Sequence, residues 1–329
     1  MKRRIMKLFL IVLALALLCV VPPPRVRATF PGVNGRIAFQ ADTGSGNQIY
    51  TVRPNGHDLR QVTHVNVGEA NAPDWSPDGR RIAFEHPQDT ADICADIAIM
   101  NADGSELVDL LQPNPHICEG EPSFTPDGRR IVFERFNIDT GEDAIWSMNI
   151  DGTDRRLVTT GTGIGVTDPN VSPDGNTLSF VGFNGLDFGE ALFTVGIDGS
   201  NLNQLTPFTI DLAIKQDWAP DGQHLLVGTY ANSSQLGVSA NIATIRPDGT
   251  DLRYLTHYQG GDVNAFVGSY SPDGRWIVFR LQDHGSYGLF RMRSDGSNLQ
   301  VILGFSSFRP RLIDWGPRSL GAEDEDNQD

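Results

Sequence analysis

Six residues before the aspartate of three consecutive Pro-Asp-Gly turns stand Glu121, Asp168 and Lys215. Two carboxylates and an ammonium at equivalent points of successive chain segments could make polar contacts to a ligand or partner. Four further residues invite a chemical reading: His86, His116, Cys94 and Cys118. In an oxidising compartment the two cysteines read as a disulfide pinning two loops. With the two histidines they would instead make a thiolate-imidazole zinc set, but no tight Cys-x-x-Cys or His-x-x-x-His spacing supports it. Asp89, Asp92 and Glu119 could hold a hard cation, yet no calcium-loop spacing appears. A Gly-x-Ser-x-Gly elbow is missing, since Gly304-Phe305-Ser306-Ser307-Phe308 lacks the final glycine. Gly-rich phosphate loops are missing too, and Gly44-Ser45-Gly46 is a weak signal of that type. The expectation is no catalytic set, no metal and no cofactor.

The elements that must position these residues recur along the chain. Trp75-Ser76-Pro77-Asp78-Gly79-Arg80-Arg81-Ile82-Ala83-Phe84 returns as variants at Thr125 to Gly128, Ser172 to Gly175, Ala219 to Gly222 and Ser271 to Gly274. Proline presets the first corner, aspartate suits the second, and glycine takes the left-handed position. Flanked by strand-forming runs, each copy reads as a β-hairpin. A second signal is an apolar strand residue six positions before an Asx-Gly pair. It runs Ile49, Ile97, Ile145, Leu192, Ile242 and Leu289. Each unit of about fifty residues therefore holds four short antiparallel strands, the make-up of a propeller blade.

There are six Asx-Gly hairpins and five complete Pro-Asp-Gly turns. The missing turn is explained by the chain ends. Leu312-Ile313-Asp314-Trp315-Gly316-Pro317 matches the strand before the turn, and Gly35-Arg36-Ile37-Ala38-Phe39 matches the strand after it. The expected fold class is all-β: a six-bladed β-propeller of four-stranded antiparallel blades, one shared by the N- and C-terminal strands. Such closure removes the open sheet edge that would invite aggregation.

Composition sets the address. Lys2, Arg3, Arg4 and Lys7 precede an apolar run from Leu8 to Val21, and Val26-Arg27-Ala28 offers a small-residue cleavage site. Residues 1–28 read as a signal peptide, 29–318 as the propeller and 319–329 as a disordered acidic tail. Cys19 would serve a lipid anchor, but bulky Leu18 precedes it. Removing residues 1–28 takes away six basic residues and no acid, moving the formal charge from −15 to −21. That charge disfavours nucleic acid and anionic membrane surfaces. No later segment is apolar enough to span a bilayer. A monomer is expected.

The Ser-Pro-Asp-Gly-x-x-Ile-x-Phe turn with its following Asp-Gly-x-x-Leu strand resembles the TolB-like propeller repeat, from Gly35 to Pro317. The namesake of that family is a periplasmic protein of the Tol system with a small α/β domain before its propeller. Here a few residues separate the expected cleavage site from the first strand, so that domain is expected to be missing and membership of the Tol system is doubtful. Similar propellers stand beside peptidase domains and in sugar-acid lyases.

Aligning the copies separates scaffold from candidate site. Asp74, Ser123, Asn170, Asp217, Ser269 and Asp314 form one small polar column, expected to hydrogen-bond local backbone near each turn. The column beside it, beginning with Trp75 and Phe124, reads as inter-blade packing. The short turns share one face. The longer loops and blade crossovers share the other, with His64, His86, His116, His257 and His284, while His57 and His224 map to the short-turn end. At the channel mouth the column Ala72, Glu121, Asp168, Lys215, Val267, Leu312 breaks symmetry. The expected function is an exported, non-enzymatic scaffold that binds a protein or peptide in the periplasm or outside the cell. The alternative is a metal-dependent lyase or hydrolase, or a binding protein, acting on polysaccharide.

Overall fold

In a computed structural model, the structure describes residues 32–42, 44, 46–65, 69–87, 94–160, 163–185, 189–210, 212–230 and 238–319. The expected signal peptide, most of the expected acidic tail, Asp89 and Asp92 lie outside these residues. Twenty-four strands form six four-stranded antiparallel sheets, and no helix occurs among the described residues. The protein is a six-bladed β-propeller.

Blade one is built as the repeat count requires. Its inner strand is Arg311–Pro317 and its second is Asn34–Asp42, paired through Ile37 with Trp315 and Ala38 with Asp314. The Arg318 N–H donates to Val33 O at 2.8 Å, extending that seam past the strands. The remaining inner strands are Asn71–Trp75, Ile117–Phe124, Gly165–Val171, Leu212–Trp218 and Val263–Tyr270.

Each turn works locally. The Gly79 N–H donates to Ser76 O at 2.9 Å, and Gly79 takes a φ of 66°. Asp78 Oδ1 accepts from the Ser76 hydroxyl at 2.7 Å and from the Arg80 N–H at 3.1 Å. The Asx-Gly turns do more than reverse the chain. At Gly104, φ is 89° and a Cβ would lie 2.1 Å from Val62 O of the preceding blade. Glycine there allows one blade's outer hairpin to touch its neighbour's backbone.

The core lies between blades. Phe84, Ile82 and Met100 of blade two pack with Ala38 and Ile49 of blade one, all fully or almost fully buried. The same arrangement joins Ile131 and Phe133 of blade three to Ile97 of blade two. Apolar faces of neighbouring sheets thus bury each other, the main stabilising term for a ring of this kind.

Candidate functional site

The channel-mouth column sits on a repeated irregularity of the inner strands. Pairing with the second strand slips between Asn71 and Asp74, between Gly120 and Ser123, between Thr167 and Asn170, and between Ala213 and Gln216. These are β-bulges, which leave backbone groups unpaired and re-aim side chains. Ala72, Glu121, Asp168 and Leu312 adopt left-handed φ of 46°, 49°, 49° and 43°. Such backbone is costly for residues with a Cβ and persists only where surrounding contacts hold it.

Those contacts run from blade to blade. Gln40 Oε1 accepts from the Ala72 N–H at 2.8 Å, and Glu85 Oε1 from the Glu121 N–H at 2.8 Å. Glu121 Oε2 accepts from the Asp168 N–H, and Asp168 Oδ2 from the Gln216 N–H at 2.7 Å. Glu121 and Asp168 are thus clasps that satisfy the bulged backbone of the next blade. The sequence offered them as ligand contacts. The structure adds this scaffold duty.

Thr167 connects the clasp to a second acid. Its hydroxyl lies within hydrogen-bond reach of Glu121 Oε2 and 2.8 Å from Glu134 Oε2. One hydroxyl has one proton, so both contacts are hydrogen bonds only if one carboxyl carries a proton of its own. Burial, with Asp168 and Glu85 nearby, pushes Glu121 up to about 7. Burial and the Glu121 charge hold Glu134 well above the carboxylate range. Burial raises Asp143 to about 6.

Lys215 occupies the channel. Its Nζ lies 3.5 Å from Asp168 Oδ1, and its side chain is 17% exposed. Burial works against the ammonium, but the charges of Asp168, Asp314, Asp217 and Asp74 outweigh it and keep the lysine protonated. Burial lifts Asp217 to about 7 despite Lys215, with Asp314 adding to the rise. It also holds Asp74 well above its usual range, reinforced by Asp314.

The polar column that includes those aspartates bonds differently from expectation. Asp314 Oδ2 accepts from the Trp75 N–H at 2.8 Å, Asp74 Oδ2 from the Phe124 N–H at 2.8 Å, and Asp217 Oδ2 from the Tyr270 N–H at 2.7 Å. Ser269 Oγ accepts from the Trp315 N–H at 2.7 Å. These partners belong to the next blade, and Asp217 Oδ1 accepts in addition from the adjacent Trp218 N–H at 2.9 Å. The reason is radial. At the crowded centre of the ring, the neighbouring inner strand is closer than the turn at the strand's end.

The channel lined by these groups is nearly filled. Its short-turn end, between Asp74, Asp217 and Asp314, encloses about 30 Å³. Its other end, between Glu121, Asp168, Lys215 and Leu312, encloses about 10 Å³. Waters fit there, but a sugar ring or peptide side chain does not.

The structure brings Glu121, Asp168 and Lys215 together and leaves the histidines apart. His86 Nδ1 is 2.8 Å from Asp109 Oδ1 and largely buried, and His116 Nδ1 is 2.9 Å from Asp139 Oδ1 and exposed. Neither lines the channel. Cys94 and Cys118 are joined as a disulfide, which ties the loop inside blade two to the inner strand of blade three. Glu119 pairs with Arg135 at 3.2 Å. No group of three or more His, Cys, Asp or Glu arranged to hold a metal occurs among the described residues. Glu134, Thr167 and Gln216 escape sequence reasoning, because second-strand and intermediate positions carry no repeat signal.

Comparison with known proteins places this geometry. The profile described as the TolB beta propeller domain matches residues 60–213. The Tol-Pal system protein TolB of Nitratidesulfovibrio vulgaris is 43% identical over 54 residues, which are 16% of this chain and 12% of that relative. The match therefore spans a small part of the curated relative's length. The crystal structure of TolB from Acinetobacter baumannii superposes with a TM-score of 0.69 at 19% identity, covering 88% of this chain and 68% of that one. An oligogalacturonate lyase in complex with manganese superposes with a TM-score of 0.55 at 14% identity, over 81% of this chain and 73% of the lyase. At these identities the solved structures speak for the fold alone. No helix among the described residues is long and apolar enough to cross a membrane.

Proposed function

We propose that this chain, a member of the TolB-like β-propeller family, is an exported, non-catalytic scaffold that binds a protein or peptide across the irregular face of its ring. The observation that carries this reading is the filled channel. With about 10 Å³ at the mouth and its acids engaged by backbone N–H groups, the ring offers a surface rather than an interior site. Glu121, Asp168 and Lys215 form the floor of that surface, while His86, at the end of the Arg81–His86 strand, and His116 lie apart from them. The Cys94–Cys118 disulfide braces the loop inside blade two, which lowers the entropy lost on binding. The formal charge of −15 favours a basic partner.

The test is recovery of a stable partner from envelope extract, followed by cross-linking to map its contacts. Lys215→Met and His116→Ala should weaken the complex while thermal melting confirms a folded ring. Cross-links confined to the short-turn face, or binding indifferent to both substitutions, would sink this assignment. Turnover of an acidic polysaccharide in the presence of manganese would replace the scaffold reading with a lyase or hydrolase.

A further inference from the structure

Before it enters blade one, the chain is held on the short turn of blade six. Asn34 opens the second strand of blade one, and its Oδ1 accepts from the Asp273 N–H at 3.1 Å. Two residues earlier, the Gly32 N–H donates to Pro272 O at 3.1 Å. Both contacts fall on the Pro-Asp-Gly turn of blade six, so the chain arrives at blade one by way of its neighbour.

Gly32 also lines a groove of about 540 Å³ between blades five and six. One part of the groove wall is apolar or aromatic: Pro220, Leu255, Tyr270 and Pro272. The rest carries Asp221, Asp251, Asp273 and Asp295, with Arg253 as its one arginine. The turn chemistry leaves these acids with capacity. Asp221 Oδ1 accepts from the Gln223 N–H at 2.9 Å, and Asp295 Oδ1 accepts from the Ser297 N–H at 2.9 Å. Each turn is closed by one carboxylate oxygen, which leaves Oδ2 for another donor. Asp251 is paired with Arg246 at 3.6 Å, and Asp273 flanks the Gly32 contact itself. Asp221 and Asp295, one from each blade, are therefore the acids best placed to take a cation.

The sequence just before Gly32 matches both parts of the wall. Thr29-Phe30-Pro31 holds one large apolar side chain, and cleavage after Ala28 gives Thr29 a free α-ammonium. Pro31 steers Phe30 to extended backbone, so three residues reach about 10 Å from Gly32. Packed sheets lie about 10 Å apart, so that reach spans a groove between two neighbouring blades. Tethering at Gly32 makes the association intramolecular, which removes the entropy cost of bringing in a separate partner.

We propose that the groove between blades five and six is the seat of the chain's own processed amino terminus, with Phe30 on the apolar wall and the Thr29 ammonium between Asp221 and Asp295. The segment then straps blade one to blades six and five, beside the seam that closes without a Pro-Asp-Gly turn. The proposal rests on the export reading, because the ammonium at Thr29 exists only after cleavage.

The chain is prepared with Thr29 as its first residue by protease removal of a fusion, so that the measurement does not depend on export. Its α-amine is methylated with ¹³C and titrated by NMR. The amine should titrate about one unit above that of a free peptide copying residues 29–32, because the carboxylates hold the ammonium. Asp221→Asn/Asp295→Asn, which keeps the turn acceptors, should return most of that rise, and so should Phe30→Ser. The same peptide, fluorescently labelled, should bind a chain starting at Gly32 about ten-fold more tightly than the chain starting at Thr29, whose groove is occupied. An α-amine that titrates as in the peptide overturns the proposal, and so does equal binding of the peptide to both chains. A rise that grows with protein concentration would give the groove to the terminus of a second copy and overturn it too. Amino-terminal sequencing of the exported chain separates the two readings. A first residue other than Thr29 overturns this seat and leaves export standing, whereas retention in the cell overturns export and leaves the seat to be decided by the titration.

Discussion

Lys215 Nζ lies 3.5 Å from Asp168 Oδ1 and is the one cation among the described residues lining the channel, against Asp74, Glu121, Asp168, Asp217 and Asp314. The arrangement inverts the usual case of a buried ion pair, since one ammonium offsets several buried acids. Removing one partner of a buried pair strands the other, at a cost of about 3–5 kcal/mol. Lys215→Met is therefore expected to lower the free energy of unfolding obtained from urea titration by about 3–5 kcal/mol. A change under about 1 kcal/mol would show that the acids are neutral without the lysine.

The pH dependence follows from the same groups. Asp217 and Glu121 hold their protons to about 7 and Asp143 to about 6, whereas in the unfolded chain they titrate near 4. Between those values the folded protein binds more protons than the unfolded one, so stability falls as pH rises from about 4 to 7. Turn aspartates such as Asp78 and Asp174 are shifted below their ordinary value, largely because Ser76 and Ser172 donate to them against the pull of burial. Their contribution is present above about 4 and lost as pH falls further. Lys215 stays charged throughout this window. The melting temperature should thus be higher at pH 5 than at pH 8 and drop again below pH 4. A maximum at pH 8 would contradict the burial of this cluster.

The inter-blade role of the polar column separates two substitutions at one site. Asp74→Ala leaves the buried Phe124 N–H without its acceptor, and should cost about 1–3 kcal/mol. Asp74→Asn keeps an acceptor and removes the repulsion from Asp314, so its melting temperature should match or exceed the parent's. Equal loss in both variants would mean that the charge, not the hydrogen bond, is what matters.

Gly104 and Gly141 give a matched test of blade contact. Both have positive φ, 89° and 69°, but a Cβ on Gly104 would strike Val62 O while one on Gly141 would meet open space. Gly141→Ala should cost about 1–2 kcal/mol, the price of a left-handed alanine. Gly104→Ala should exceed that clearly, because blade two must also shift against blade one. Thermal melts of the pair decide the point, and equal costs would argue against backbone contact between hairpins.

Much of the fold was legible because its signals are local. Pro-Asp-Gly and Asx-Gly turns specify hairpins through φ preferences that need no neighbours, and their count exposes the blade shared by Leu312 to Pro317 and Gly35 to Phe39. The face carrying the irregular loops follows from counting strands. The bonding of the Asp74 column was misread because a side chain's spacing along the chain says nothing about what the adjacent blade presents to it. Glu134 and Thr167 were invisible for a related reason, since each matters only through Glu121 on another strand.

The sequence alone determined a closed ring of six blades, because each turn acts within a few residues and each strand within one hairpin. The tertiary structure decided what the ring's centre and seam contain. Lys215 among its aspartates and Gly32 against Pro272 are assembled from segments far apart in the chain. Both arrangements exist only once the ends of the chain have met.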